Sequence, residues 1–116
     1  MLIVEDEVLI RMEAADMIRT AGFEVLEAEN ADEAIEILER RLDIRVVFTD
    51  VQMPGSMDGL KLAAAISNRW PPIKIVATSG LTGIGKDHLP SGSRFVSKPY
   101  SSAQIIGTLR EVTGEL

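Results

Sequence analysis

An α/β fold with a parallel sheet buried between two layers of helices is what this sequence predicts, and three features predict it. Strand-like and helix-like runs alternate along the whole chain, as in a series of right-handed β-α-β crossovers. The run Val46-Val47-Phe48-Thr49 is β-branched and aromatic without polar alternation, so both of its faces are expected to be buried, as in a parallel sheet. The length of 116 residues suits one such domain and is short for two, so residues 1–116 read as a single domain.

The first strand is about Leu2–Glu5, apolar until it ends in acids. A helix follows over Val8–Ala21. Its Leu9, Met12, Ala15 or Asp16, and Ile18 recur near helical spacing, and Gly22 is its stop. Glu24–Ala28 alternates acid and apolar residues, as a half-exposed edge strand does. Asn30, with Glu33 three residues on, signals the next helix start. Ala34, Ile35, Ile37 and Leu38 give that helix its apolar stripe to about Arg41. The third strand is Val46–Thr49. A third helix is expected from a cap at Asp58 to about Arg69, ended by Pro71-Pro72, with Trp70 as a packing anchor. The fourth and fifth strands are Ile73–Thr78 and Arg94–Ser97. The last helix runs about Ser101–Thr113, with Ile105, Ile106, Leu109 and Val112 inward and Gly114 as its stop. A further helix belongs in Gly80–Gly92, but Gly83, Gly85 and Pro90 oppose it, and a short or frayed one is expected.

Composition narrows the function. Apolar residues make up 46% and charged residues 26%, an ordinary globular balance. Cysteine is absent, which excludes disulfides, thiolate catalysis and cysteine metal sites. Apolar runs such as Ala63 to Ile66 are too short to span a bilayer, and Met1 leads straight into a strand with no signal-peptide pattern. A net charge of −6 argues against direct nucleic-acid binding, which needs a basic face. A cation or a basic protein surface is the easier partner.

The chemistry gathers where strands end. Asp50 closes the buried third strand, ahead of a Met53-Pro54 turn; Glu5 and Asp6 close the first; Lys98 follows the fifth. In open α/β sheets the crevice outside the carboxyl ends of the strands holds the ligand. Neighbouring carboxylates repel and raise one another's pKa, and a hard divalent cation resolves that. Mg2+ takes oxygen ligands and is usually held by one or two carboxylates plus phosphate oxygens. Asp6 and Asp50 are the expected direct ligands, with Glu5 acting through water and the Gln52 carbonyl completing the set. An aspartate can also attack phosphorus and carry the phosphoryl group as an acyl phosphate. The charge that develops needs a metal on one side and a cation on the other. Lys98 supplies the cation, and the Thr78 hydroxyl can bond a phosphoryl oxygen.

Five short elements, Val4-Glu5-Asp6-Glu7, Thr49-Asp50-Val51-Gln52-Met53-Pro54, Met57-Asp58-Gly59, Thr78-Ser79-Gly80 and Lys98-Pro99-Tyr100, stand in register over nearly the whole chain. Together they resemble the receiver domain of two-component response regulators. That resemblance implies a flavodoxin-like sheet of order 2-1-3-4-5 and a cytoplasmic, non-enzymatic switch. Asp50 would take a phosphoryl group from a histidine kinase or histidine phosphotransfer protein, with Mg2+ as cofactor. It also implies switch roles for Thr78 and Phe95, with the signal leaving through the fourth helix, fifth strand and fifth helix. The chain departs from the common pattern in four places: Glu-Asp replaces Asp-Asp, the Met53–Gly59 loop carries one residue more, Phe95 stands where Tyr is frequent, and the fourth-helix segment is glycine-rich.

Taken singly, these residues have plainer readings. Asp50 alone could cap a turn, Lys98 alone could be solvated, and one of Thr78 and Ser79 is expected only to satisfy backbone groups. Glu7 fits the helix dipole. Lone His88 reads as a solvated loop residue, and Glu24, Glu27, Glu29, Glu36 and Glu39 as a solvated face. Phe95 alone could be plain core. Competing functions are a phosphate sink or shuttle in a phosphorelay, a non-phosphorylated receiver-like binding module, and a small Mg2+ phosphatase. The phosphatase would want an acid at position 52, where Gln52 stands. No DNA-binding or enzymatic effector segment is expected within the chain, and the output partner is not identified.

Overall fold

The computed structural model describes residues 1–52, 58–80 and 86–114. In chain order they form β1 (Leu2–Val4), α1 (Val8–Thr20), β2 (Leu26–Ala28), α2 (Ala31–Arg40), β3 (Val46–Asp50), α3 (Gly59–Arg69), β4 (Lys74–Ser79), a 3-10 turn (Lys86–His88), β5 (Arg94–Ser97) and α4 (Ser102–Thr113). The strands make one sheet in the order β2-β1-β3-β4-β5, and every pairing is parallel. This is the doubly wound, flavodoxin-like order. The five carboxyl ends therefore face one edge of the molecule.

Two cores flank the sheet. On one face Leu2, Val4, Val47 and Ile75 meet Ala34 and Leu38 of α2 and Leu62 and Ile66 of α3. On the other, Ile3, Phe48, Val76 and Val96 meet Ala15 and Ile18 of α1 and Ile105 and Leu109 of α4. All five residues of β3 are buried, which explains why its sequence does not alternate.

The caps follow the expected chemistry. Asn30 accepts from Glu33 N at 2.8 Å and Asp58 from Lys61 N at 2.9 Å. Ser101 and Gln104 form a reciprocal capping box. Trp70 packs against the α2–α3 core, with the Arg69 guanidinium 4.3 Å over its ring.

Two expectations need correction. The inward face of α1 is not Leu9 and Met12, which are 75% and 51% exposed, but Ala14, Ala15 and Ile18. The helix carries two apolar stripes, and the small alanines are the ones that let its backbone approach the sheet. The strand β2 is shorter than expected, Leu26–Ala28: its ladder starts where Leu26 pairs with Leu2, the first residue of β1, while ahead of it the Glu24 carbonyl accepts from the Met1 ammonium at 2.6 Å. In the fourth-helix segment, where a short or frayed helix is expected, the described residues 86–92 hold the 3-10 turn Lys86–His88; residues 81–85, like the Met53-Pro54 turn and the extra loop residue, lie outside the described residues.

Candidate functional site

Parallel register builds the site. Val4 pairs with Thr49, so Glu5 and Asp6 of one strand end come beside Asp50 of the next. Asp50 pairs with Thr78, and Lys98 follows the end of β5, its backbone N–H donating to Ser79 O at 2.9 Å. Carboxylate oxygens of Glu5, Asp6 and Asp50 all lie within 4.8 Å of one another. The Lys98 ammonium is 3.0 Å from Asp50 Oδ2 and 3.7 Å from Glu5 Oε1. The second oxygens of Glu5 and Asp50 meet backbone donors: Glu7 N–H donates to Glu5 Oε2 at 3.1 Å and Gln52 N–H to Asp50 Oδ1 at 3.2 Å.

The cluster is buried and electrostatically incomplete. Glu5 is 5% exposed and Asp50 7%. Burial, followed by the hydrogen bond with Asp6 and the charge of Asp50, pushes the Glu5 carboxyl up to about 7, against the pull of Glu7 N–H and Lys98. Burial by itself would lower the Lys98 ammonium; its bond to Asp50 and the charges of Asp50 and Glu5 outweigh that and raise it. One lysine therefore does not balance the acids, and their oxygens suit a hard cation.

The Thr78 hydroxyl is buried and finds no hydrogen-bond partner among the described residues, although its carbonyl is used by Val51 N–H at 2.9 Å. A buried unsatisfied hydroxyl costs free energy and calls for a partner. Ser79 is equally buried and is not without a partner; the unpartnered buried hydroxyl is that of Thr78. The structure thus brings together Glu5, Asp6, Asp50 and Lys98, with Thr78 in register beside them. Gln52 joins through its backbone while its side chain is exposed. Phe95 stands apart, half-buried and paired with Ala77. His88 is exposed.

Two residues near the site have structural roles that the sequence reading did not assign, although Gly59 stands in one of its five elements. Gly59, the first residue of α3, lies so close to the chain that a Cβ there would collide with the Asp50 carbonyl oxygen and sit 2.7 Å from Val51 Cα. A glycine directly after a capping aspartate was the available signal. Arg11 reaches the Glu5 carbonyl from α1, and a main-chain acceptor leaves no sequence signal.

A five-stranded parallel sheet with acids, a lysine and a hydroxyl at one edge is the arrangement of a receiver-type domain. The chain belongs to the response regulator receiver domain family, whose model matches residues 1–110; it is a receiver domain of the two-component response regulator type. It is similar to the sensor kinase CckA of Brucella abortus, 34% identical over 115 residues that make up 96% of this chain and 12% of CckA. It is also similar to the chemotaxis protein CheY of Thermotoga maritima, 32% identical over 116 residues, 97% of this chain and 95% of that one. Among solved structures, a response regulator receiver protein from Sinorhizobium medicae superposes with a TM-score of 0.90 at 26% identity, covering 97% of this chain and 92% of the other.

Proposed function

We propose that this domain accepts a phosphoryl group on Asp50 from the phosphohistidine of a histidine kinase or a histidine phosphotransfer protein. The observation that carries this reading is the convergence of Asp50 with Glu5, Asp6 and Lys98, beside a Thr78 hydroxyl that lacks a partner among the described residues. An Asp50 carboxylate oxygen attacks phosphorus, the P–N bond to the donor imidazole breaks, and the imidazole leaves with the bonding pair. The product is an acyl phosphate on Asp50.

Mg2+ fits the donor set: Asp6, Asp50 and the Gln52 carbonyl would hold it, with Glu5 acting through water, and it would supply charge neutralisation for the transferring group. Lys98 moves from a carboxylate partner to a phosphoryl oxygen, and the Thr78 hydroxyl donates to another. That displacement of Thr78 biases the neighbouring surface, including Phe95, between two arrangements. Domains of this design act by switching, and we assign no turnover of a small substrate. Use as a phosphate sink or relay shares the same first step and differs only in the fate of the phosphoryl group afterwards.

Incubation with acetyl phosphate and Mg2+, followed by intact-mass measurement, tests the reading. One added phosphoryl group, absent in Asp50→Asn, is expected. Equal labelling of the variant would falsify the assignment of Asp50.

A further inference from the structure

The acid pair sits on the turn between β1 and α1, and one largely buried side chain grips that turn. Arg11 Nη1 donates to the Glu5 carbonyl at 2.9 Å. Its Nε lies 3.3 Å from Glu27 Oε1 on β2, and only 14% of the side chain is exposed. The second Glu27 oxygen, Oε2, accepts from Arg19 at 3.3 Å. On the amide side, Glu5 N–H donates to Ala28 O at 3.0 Å. The Glu5 main chain is thus held at both ends, from β2 and from α1. Because a peptide unit is planar, fixing the Glu5 carbonyl also fixes the nitrogen and Cα of Asp6, the base from which its carboxylate reaches the cluster.

Arginine is an unexpected choice for this place. A second cation near three carboxylates competes electrostatically with a divalent ion. If charge were all Arg11 contributed, the metal site would work better without it. Its fixed fork can, however, hold two acceptors at once in defined geometry.

We propose that Arg11 is a positioning residue of the metal-binding acid pair, its bridge from Glu27 to the Glu5 carbonyl aiming the Asp6 carboxylate at Asp50. The inference rests on the reading of the cluster as a Mg2+ site.

Calorimetric titration with Mg2+ alone, at pH 8 and fixed ionic strength, separates positioning from charge. Arg11→Met keeps the apolar stem and removes every donor; it should weaken Mg2+ binding by about tenfold, the lower end of losses seen for residues that support metal ligands. Arg11→Lys keeps the charge without the fork and should fall between that variant and the parent. Arg19→Met, which shares Glu27 but does not reach Glu5, should change binding by less than about twofold. Mg2+ binding by Arg11→Met as tight as the parent's, or tighter, overturns the proposal, since removing a charge alone acts in that direction.

Amide exchange of the metal-free folded protein gives a second readout, useful if Arg11→Met does not fold. In Arg11→Lys the Asp6 and Glu7 amides should exchange faster than in the parent while the rest of the sheet keeps its protection; unchanged protection there overturns the proposal. Failure of the parent to take a phosphoryl group would remove the proposed function and leave the exchange result standing.

Discussion

At the carboxyl end of the sheet, Lys98 lies 3.0 Å from Asp50 with the aspartate side chain 10% exposed; at the amino end, Arg41 holds Asp43 at 2.7 Å with both side chains about half in water, 46% and 62% exposed. The exposed pair has the better geometry, a two-point fork at 2.8 and 2.7 Å, and it pulls the Asp43 carboxyl down to about 2. The buried cluster does the opposite to Glu5, pushing it up to about 7. A pair in water settles its own charges and contributes little. Where burial removes water and acids outnumber the ammonium, the imbalance persists in the folded state and an added cation or a transferred group can relieve it. The difference leaves one end of the sheet electrostatically unbalanced and makes the other ordinary surface.

Five perturbations test that contrast, in falling order of expected effect. Gly59→Ala should destabilise by more than about 3 kcal/mol, because the clash is with backbone and cannot be relieved by a rotamer change; a urea midpoint near the parent's would show that α3 shifts freely away from Asp50. Second, the metal-free protein should lose stability as pH rises from about 4.5 to about 7. The folded Glu5 carboxyl binds its proton more tightly than its ordinary value of 4.5, so the folded state holds more protons than the unfolded one across that window and stability falls with pH, by at most about 3 kcal/mol. Glu5→Gln should flatten this slope in melts followed at Trp70.

Third, Mg2+ at about 100 times its dissociation constant should stabilise by about 2.7 kcal/mol if it binds only the folded chain. Asp6→Asn should remove this gain more completely than Glu5→Gln, and a melting temperature indifferent to millimolar Mg2+ would count against the site. Fourth, Lys98→Met should cost about 2 kcal/mol above pH 7. This is less than the 3–5 typical when a fully buried pair loses one partner, since the lysine side chain is 29% exposed. Added Mg2+ should recover part of the loss, and no recovery would mean that the lysine and the metal do not act on the same acids. Last, Asp43→Asn should leave the urea midpoint indistinguishable from the parent's; a clear loss would dissolve the contrast between the two ends.

Much of this site is legible in the sequence. Glu5, Asp6, Asp50 and Lys98 each close or follow an apolar run, and in a parallel sheet strand ends share an edge by construction, so their meeting follows from the fold class. Thr78 is legible for the same reason, since β4 pairs it with Asp50. The phase of α1 is not. Leu9 and Met12 satisfy helical spacing as well as Ala15 and Ile18 do, and only the fit of small side chains against the sheet selects the second set. The choice between Thr78 and Ser79 depends on which buried hydroxyl lacks a partner, that of Thr78, and adjacent residues give no hint of that.

Local sequence suffices to set the alternation of strands and helices, the caps at Asn30 and Asp58, and which charged residues stand at the strand ends. These come from backbone periodicity and from hydrogen bonds made within a few residues along the chain. Packing in three dimensions was needed to set how tightly Glu5 holds its proton, where Arg11 places its guanidinium, why residue 59 carries no side chain, and which face of α1 meets the sheet. Each of these depends on what lies across space from the residue, because desolvation, charge and steric contact are set by neighbours distant in sequence.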